Sequence, residues 1–346
     1  MTKKPMFDFV IGNPPYQETR ENTSDMPIYH EFLEAAYRCA HVVETITPGR
    51  FLFNAGSTPK EWNRKMLHDE HLKVLMFEQD SSKIFPSTDI KGGVAVTMRN
   101  DAVVFGAIKQ FSPFPALSSI ATKMNTYSYT SISEIMYSQC AYGITDIFHQ
   151  ENPSESQRLK PSARKFFASN VFDTLTDAVF TDTKPSNSQE EYVQLIGRTG
   201  HCRAYKWIKK KYVQDPGNLM AYKVILPNSN GSGAIGEVLS TPLVGVPLVG
   251  HTQTFISIGC FENLQDAEAC CKYIKTKFTR ALLGILKITQ HNTPEKWEYV
   301  PLQDFTEHSD IDWSQSVADI DKQLYTKYGL SQDEIDFIES HVKEME

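Results

Sequence analysis

The sequence predicts an α/β fold, namely half of a doubly wound sheet followed by a mixed α+β domain. As far as about residue 111, apolar strand-like runs alternate with amphipathic helical segments, which is the pattern of such a sheet. Beyond that point the alternation fades, and a run rich in Pro, Ser, Thr and Tyr marks a crossover. We therefore predict domains at 1–115 and 116–300, and an acidic helical segment at 301–346.

The first strand leads into a proline-rich loop. Residues 7–11 are apolar apart from Asp8, and they predict a short buried strand. Gly12 is expected to free the backbone for a loop at the carboxyl end of this strand. Open α/β sheets bind their ligands at that edge. The loop sequence is Asn13-Pro14-Pro15-Tyr16.

This loop has the composition of a site that holds an amino group. Two consecutive prolines fix φ and favour extended geometry at the residue before each, so the Asn13 side chain and the Pro14 carbonyl oxygen can point the same way. Two fixed acceptors suit the two hydrogens of adenine N6 and favour the pyramidal form that attacks a methyl group. Tyr16 adds a flat apolar face on which a purine can stack.

The segments that follow continue the alternation, with a proline-glycine break inside the second strand. The elements predicted in the first half are a helix at 28–41, a strand at 42–46 and 50–53, a helix at 58–68, and strands at 72–77 and 94–98. In the second half we predict one long helix at 265–287. Ser331 and Glu334 form a predicted capping box for a helix in the tail.

An Asn-Pro-Pro-Tyr sequence after an apolar strand resembles the catalytic motif of the gamma-type adenine-N6 DNA methyltransferases, particularly the fused type IIG enzymes of restriction-modification systems. The resemblance covers about residues 5–100. It implies the later half of a Rossmann-like methyltransferase sheet, followed by a DNA target-recognition domain. It also implies methyl transfer from S-adenosylmethionine to a flipped adenine. Catalytic roles are implied for Asn13, Pro14, Pro15 and Tyr16.

Two further stretches carry the resemblance. The segment around Phe85 resembles the one whose aromatic ring stacks on the extruded base, so Phe85 is expected to sandwich adenine with Tyr16. The start of the next helix, with Asp25 and Tyr29, resembles the segment that walls the methyl-donor pocket. The resemblance therefore implies that Asn13, Asp25 and Tyr29 contact the cofactor. For Tyr29 and Phe85 the alternative is a purely structural role in the core.

The cofactor site is expected to be incomplete in this chain. The resembling enzymes hold S-adenosylmethionine with a Gly-rich turn that precedes the catalytic loop, and here twelve residues precede Asn13. The resemblance thus implies a second polypeptide carrying the N-terminal methyltransferase half, or a fragment of a fused enzyme. The alternatives are a non-catalytic DNA-recognition module and a remnant of a truncated restriction-modification enzyme.

The uneven distribution of charge is compatible with a DNA partner. Residues 301–346 contain 3 basic and 12 acidic residues, whereas residues 140–300 contain 18 basic and 15 acidic ones. Local charge, rather than the net charge of −7, steers a polyanion. A cluster of basic and aromatic residues at 198–212 is typical of phosphate contact, although a solvated strand edge has the same composition. The residues predicted to contact double-stranded DNA are Arg198, Arg203, Lys206, Lys209, Lys210 and Lys211 in this cluster, and Lys272, Lys275 and Arg280 on the long helix.

The composition indicates a globular cytoplasmic protein. A chain of 346 residues can form two domains, and no apolar run reaches membrane-spanning length. Met1-Thr2-Lys3-Lys4-Pro5 leads into a strand without a signal-peptide core. The 6 cysteines lack Cys-x-x-Cys spacing, which predicts free thiols. No cluster of side chains predicts a metal site.

Overall fold

The chain divides into two units, Met1–Ser118 and Ser119–Glu346. The computed structural model describes residues 5–18, 26–108, 111–186, 188–231, 233–287 and 289–345. The elements of the first unit are β1 (Phe7–Gly12), β2 (Gln17–Glu18), β3 (Met26–Pro27), α1 (Tyr29–Cys39), β4 (Ala40–Pro48), α2 (Lys60–His68), β5 (Leu72–Glu78) and β6 (Val94–Asn100). Helix α3 (Pro115–Met124) begins in the first unit and ends in the second.

The strands of the first unit form a mixed sheet in the order β1-β4-β6-β5. β1 and β4 run parallel, and α1 is the crossover that such a pair requires. β6 lies antiparallel to both β4 and β5. The α/β class is therefore confirmed. The described residues hold one parallel strand pair in this sheet, rather than the fully parallel arrangement that a doubly wound half would favour.

β1 differs from the buried strand that its apolar sequence predicts. Phe7, Phe9 and Ile11 are exposed by 53%, 68% and 79%. Within the described residues β1 pairs with β4 alone, so its other backbone edge is open. The face that carries Phe7, Phe9 and Ile11 is also uncovered. The apolar residues 7–11 therefore form a strand that the first unit leaves uncovered.

The core of the first unit lies between the sheet and the helices that follow β1 and β4. On β4, Val43 and Thr45 point to the buried side, since alternate residues of a strand share a face. Helix α1 buries Tyr29 and Leu33, which are four residues apart and therefore on one helical face. Trp62 of α2 packs in the same cluster.

A turn replaces the second half of the strand predicted at 42–53. β4 ends at Pro48, and residues Gly49–Phe53 form a 3₁₀ helix. Proline has no backbone N–H to continue the strand ladder, which accounts for the stop. Phe51 and Leu52 are buried in the core. The apolar character of this segment thus reflects burial in a turn that places Arg50 at the carboxyl end of β4.

The second unit is β-rich with a helical carboxyl-terminal part. Its strands are β7 (Met136–Tyr137), β8 (Gly143–Ile144), β9 (Tyr192–Thr199), β10 (Cys202–Lys209), β11 (Val213–Gln214), β12 (Tyr222–Pro227), β13 (Leu243–Gly245), β14 (Val249–His251) and β15 (Phe255–Phe261). Its helices are α4 (Asp146–Glu151), α5 (Pro153–Arg158), α6 (Val171–Thr174), α7 (Leu264–Lys275), α8 (Lys277–Leu286), α9 (Val317–Lys327) and α10 (Gln332–His341).

Small sheets organise this unit. One has the order β10-β9-β14, another β13-β12-β15-β7, and β11 pairs with β8. β9 and β10 form an antiparallel hairpin across Gly200, whose φ of +58° suits glycine at a tight turn. The hairpin therefore presents the predicted basic cluster on two adjacent strands.

The long helix predicted at 265–287 is two helices. α7 ends at Lys275 and α8 begins at Lys277, with Thr276 between them in an extended conformation. The Thr276 hydroxyl accepts a hydrogen bond from the backbone N–H of Thr279 and so caps α8. The capping box predicted in the tail is confirmed, because Ser331 and Glu334 make both reciprocal hydrogen bonds at the start of α10.

A buried lysine links two sheets of the second unit, since it lies on β12 and donates to β14. Lys223 on β12 is fully buried, and its Nζ donates to the carbonyl oxygens of Val249 at 2.9 Å and Leu219 at 3.3 Å. Burial lowers the pKa of Lys223 to about 8, against an opposing effect of Asp215. These hydrogen bonds engage two of the three ammonium donors, and the charge itself is still costly to bury.

We expect Lys223 to make the stability of the protein rise with pH above about 8. Between the folded pKa of about 8 and the ordinary value of 10.5, the unfolded chain binds the extra proton. The wild-type free energy of unfolding should therefore gain about 2 kcal/mol relative to Lys223→Met between about pH 8 and about pH 9.5. Urea titrations of both proteins across this range measure the difference, and a constant difference would contradict the expected pKa.

Candidate active site

The Asn13-Pro14-Pro15-Tyr16 loop lies at the carboxyl end of β1, as expected. Asn13 and Pro15 are exposed, whereas Pro14 and Tyr16 are half-buried. The backbone N–H of Ile28 donates to the Tyr16 carbonyl oxygen at 3.1 Å and so ties the loop to the start of α1. Gly12 has no left-handed φ, and a Cβ there would meet no atom within 4 Å, so the loop does not require glycine at this position.

The loop opens into a cavity of about 710 Å³, a size typical of small-molecule sites. The cavity wall continues through Arg50 and Thr58, which follow β4, and through Phe85 in the segment before β6. Since β1 and β4 are parallel neighbours, their carboxyl ends meet at the same sheet edge, where open α/β sheets bind ligands. The predicted residues Asn13, Pro14, Pro15, Tyr16, Tyr29 and Phe85 all line this one cavity.

Tyr16 and Phe85 contact each other edge to face. Their ring centroids are 6.4 Å apart and the ring planes are inclined by 69°. A base sandwiched between two rings needs them to be nearly parallel, so the expected sandwich is not formed in this conformation. One ring has to turn before both can stack on a purine.

The Tyr16 hydroxyl is a buried polar group for which the described residues provide no partner. Its oxygen makes no hydrogen bond to the described residues. Burial raises the pKa of Tyr16 above its ordinary value, so the phenol is neutral. A buried hydroxyl without a partner costs stability and marks a position where a ligand atom can gain a hydrogen bond.

Tyr29 belongs to the core as much as to the cavity. It is 3% exposed, and its ring packs against Phe51 and Trp62. Burial raises the pKa of Tyr29 to about 12, against opposing effects of the Thr58 hydrogen bond and the Arg50 charge. Tyr29 thus offers the cavity little more than one edge. Asp25, the other predicted cofactor contact in this segment, lies outside the described residues.

Sequence reasoning missed Arg50. Its segment is apolar and was expected to be a strand, so it gave no indication of a functional residue. The position could have been found from the Pro48-Gly49 break, which ends the strand that neighbours β1. Arg50 brings a permanent positive charge to the cavity, since a guanidinium is always protonated in proteins.

The predicted DNA contacts at 198–212 lie on the hairpin of β9 and β10 and the turn after it. Arg198 and Arg203 are direct partners across the two strands. All four lysines of this cluster form ion pairs with carboxylates. The ion pairs are Lys206 with Asp182 at 2.6 Å, Lys209 with Glu190 at 3.5 Å, Lys210 with Glu191 at 2.8 Å, and Lys211 with Glu151 at 2.9 Å and Glu190 at 2.8 Å.

Unlike the lysines, the two arginines form no ion pair with a described carboxylate. Arg203 donates to the Thr241 carbonyl oxygen at 3.2 Å and lies over the Phe255 ring at 5.4 Å from its centroid. In the described part of the chain, the side chain of Arg198 makes no hydrogen bond or ion pair. These two side chains are therefore better placed than Lys210 or Lys211 to meet a phosphate.

The basic residues predicted on the long helix differ in their surroundings. Lys272 donates to the carbonyl oxygens of Trp313, Ser314 and Gln315, at 2.8 to 3.3 Å. Arg280 is 2% exposed and donates to backbone carbonyls that include those of Lys275 and Lys343. Burial lowers the pKa of Arg280 to about 10.

The burial of Arg280 and Lys275 determines whether each can contact DNA. A buried side chain that holds the carboxyl-terminal segment cannot reach a DNA backbone, so the expected contact for Arg280 is wrong. Lys275, half-buried in the last turn of α7, remains a prediction.

Two further features bear on the class of site. Across the described ranges, no group of three or more His, Cys, Asp or Glu side chains is arranged to hold a metal ion. No helix among the same residues is long and apolar enough to cross a bilayer.

Comparison with known proteins identifies the class of the first unit. Residues 1–85 match the family model of the Eco57I restriction-modification methylase, so this part of the chain is similar to the methylase domains of restriction-modification systems. The match includes the loop, Arg50 and Phe85. It confirms the resemblance at the level of this class.

Among solved structures, the chain is similar to the type IIG restriction endonuclease BpuSI. The sequence identity is 8% and the TM-score is 0.31, over 92% of this chain and 48% of that one. This chain thus spans about half the length of that enzyme. No curated protein matches the sequence.

We expect Tyr16→Phe to stabilise the ligand-free protein, because it removes a buried hydroxyl that has no protein partner. The free energy of unfolding should rise by about 1 kcal/mol. Tyr29→Phe is the matched control, since it removes a hydroxyl that bonds to Thr58 and should cost about 1 kcal/mol. Urea unfolding measures both changes. Equal losses in the two variants would mean that the Tyr16 hydroxyl has a partner after all.

Proposed function

We propose that the chain is a site-specific DNA adenine-N6 methyltransferase polypeptide of a restriction-modification system. One observation carries the proposal: the Asn13-Pro14-Pro15-Tyr16 loop and Phe85 line the same cavity at the carboxyl ends of two parallel strands. Most of the cavity wall, including the loop, Arg50 and Phe85, lies in the part of the chain that matches a restriction-modification methylase.

The residues of the loop suit the chemistry of an aromatic amine. The Asn13 side-chain oxygen and the Pro14 carbonyl oxygen accept the two N6 hydrogens of an extruded adenine. These bonds draw N6 towards pyramidal geometry and free its lone pair from the ring, and they need no reorganisation because prolines hold the backbone. Tyr16 and Phe85 supply aromatic faces that offset the cost of unstacking the base once one ring turns.

The proposed cofactor is S-adenosylmethionine, which supplies an electrophilic methyl group when bound. Asn13 and Tyr29 form one side of its site. The buried Tyr16 hydroxyl without a protein partner supports a polar ligand at this place. The remainder of the site, including the Gly-rich turn of such enzymes, comes from outside the described residues.

The open edge of β1 supports a further strand beside it. Phe7, Phe9 and Ile11 are more than half exposed, and no described residue pairs with the backbone along one edge of their strand. Sheets leave such edges uncovered at the risk of aggregation. We propose that a second polypeptide, or another segment of a longer chain, pairs with β1 and brings the missing part of the cofactor site next to Asn13.

The proposed DNA-recognition surface is the β9–β10 hairpin of the second unit. Phosphate contacts position a protein on the duplex, and arginine binds phosphate in a bidentate manner. Arg198 and Arg203 have this role in the proposal. The ion-paired lysines of the hairpin contribute less, because each must give up a carboxylate to bind a phosphate.

Methyl transfer tests the catalytic role of Asn13. The chain, alone and with the product of the adjacent upstream reading frame, is incubated with unmethylated DNA and methyl-labelled S-adenosylmethionine, and N6-methyladenine is quantified in the digested DNA. Asn13→Ala should lower the rate about 100-fold or more, as when a preorganised polar contact is lost. Asn125→Ala, an exposed residue of the second unit, is the control and should leave the rate unchanged. Equal labelling by Asn13→Ala would refute the assignment.

Salt dependence of DNA binding tests the hairpin. We expect Arg198→Gln and Arg203→Gln each to reduce the slope of log affinity against log salt by about one. Lys210→Gln is the matched control, and its slope should change less because Lys210 is paired with Glu191 at 2.8 Å. Fluorescence anisotropy with a labelled duplex measures the slopes. Unchanged slopes for both arginine variants would place the DNA surface elsewhere.

A further inference from the structure

We propose that Arg50 binds a backbone phosphate of the nucleotide whose base enters the cavity. The inference rests on the proposed function, and it adds a specific residue that holds the target strand at the mouth of the active site. Arg50 lies in the 3₁₀ turn after β4, and Asn13 follows β1, so both come from the carboxyl ends of adjacent parallel strands and line the same cavity.

Two glycines hold the Arg50 side chain in one direction. A Cβ at Gly92 would lie 2.5 Å from Arg50 Cγ, and a Cβ at Gly56 would lie 3.1 Å from Arg50 Cδ. Both glycines have left-handed backbones, with φ of +85° and +81°. The aliphatic stem therefore runs through a slot that only glycines leave open. A side chain held in this way loses little entropy when its head binds a ligand.

The guanidinium of Arg50 has N–H donors that the described residues do not use. Its Nε donates to the carbonyl oxygen of Lys91. In the described part of the chain, the two terminal nitrogens make no hydrogen bond or ion pair. A guanidinium offers five N–H donors in a planar fork. The four terminal donors of Arg50 are thus available for an oxyanion that binds through two oxygens, such as a phosphodiester.

Arg50 also provides the unbalanced charge of the cavity. The other charged side chains of its described wall are Asp89 and Lys91, which form an ion pair at 2.7 Å. That pair is neutral overall, so the excess positive charge at the cavity comes from Arg50. The Arg50 charge also lowers the pKa of Tyr29, against the larger effect of burial, which raises it. The two groups are therefore close enough to interact electrostatically.

The position of Arg50 favours a phosphate rather than an anion deep in the cavity. The side chains of Asp89 and Lys91 are exposed by 72% and 51%, so they mark the mouth of the cavity. Arg50 is itself partly exposed and its Nε donates a hydrogen bond to the Lys91 carbonyl oxygen, which places it next to this mouth. When a base is extruded into a pocket, its sugar-phosphate backbone stays at the entrance. The guanidinium is thus placed where a flanking phosphate passes.

The test compares charged and neutral backbones around one adenine. Binding of the fluorescently labelled trinucleotide d(TpApT) is measured for the full chain, next to the same trinucleotide with methylphosphonates at both linkages. Wild type should bind the charged form about 10-fold more tightly. For Arg50→Gln this preference should fall to about twofold, and Arg50→Lys should keep an intermediate value because it retains the charge but not the fork. Arg64→Gln, an exposed arginine outside the cavity, should behave as wild type.

Further arms separate this inference from the proposed function. Asn13→Ala should weaken both trinucleotides equally; if it weakens neither, the base-binding assignment fails while the phosphate preference can still be read. If Arg50→Gln keeps the full preference, the Arg50 assignment is wrong, and a loss in Arg64→Gln would move the phosphate contact outside the cavity. S-adenosylmethionine is titrated into the same variants as a carboxylate probe. A loss of its binding in Arg50→Gln without loss of the phosphate preference would assign Arg50 to the cofactor carboxylate and overturn the proposal. Thermal unfolding confirms that each variant is folded.

Discussion

The candidate site depends on the parallel pairing of β1 with β4. In a parallel pair both carboxyl ends reach the same sheet edge, so the turns that follow each strand are brought together although they are far apart in sequence. Asn13 follows β1 and Arg50 follows β4. Helix α1 makes this pairing possible, and its buried Tyr29 joins the core to the floor of the cavity. A change in the direction of either strand would separate these groups.

The sequence predicted the positions of the helices and strands of the first unit better than it predicted their burial. Strong apolar runs and proline breaks located β1, α1 and β5 to within a few residues, because periodicity reports local structure. Burial is decided by what lies on the other side of a strand, and periodicity does not contain that information. For this reason β1 was expected to be buried, whereas Phe9 and Ile11 are exposed.

Site residues were predictable where a local motif carries them. The Asn13 loop and Phe85 belong to short, recognisable segments, and both line the cavity. Arg50 and its glycine slot were not predictable, since Gly56 and Gly92 come from separate turns that meet only in the folded chain. Arg280 was misjudged for the same reason. A basic residue on a helix is usually solvated, and the carbonyl oxygen of Lys343 that binds Arg280 lies 63 residues further along.

The bare strand β1 has a consequence for how such a chain persists after synthesis. A strand with apolar side chains and free backbone groups readily adds to any other exposed strand, including that of a second copy. Self-association through β1 is thus the physical risk that this strand carries. Unless the proposed further strand covers Phe7, Phe9 and Ile11, aggregation is expected to increase with the concentration of the protein.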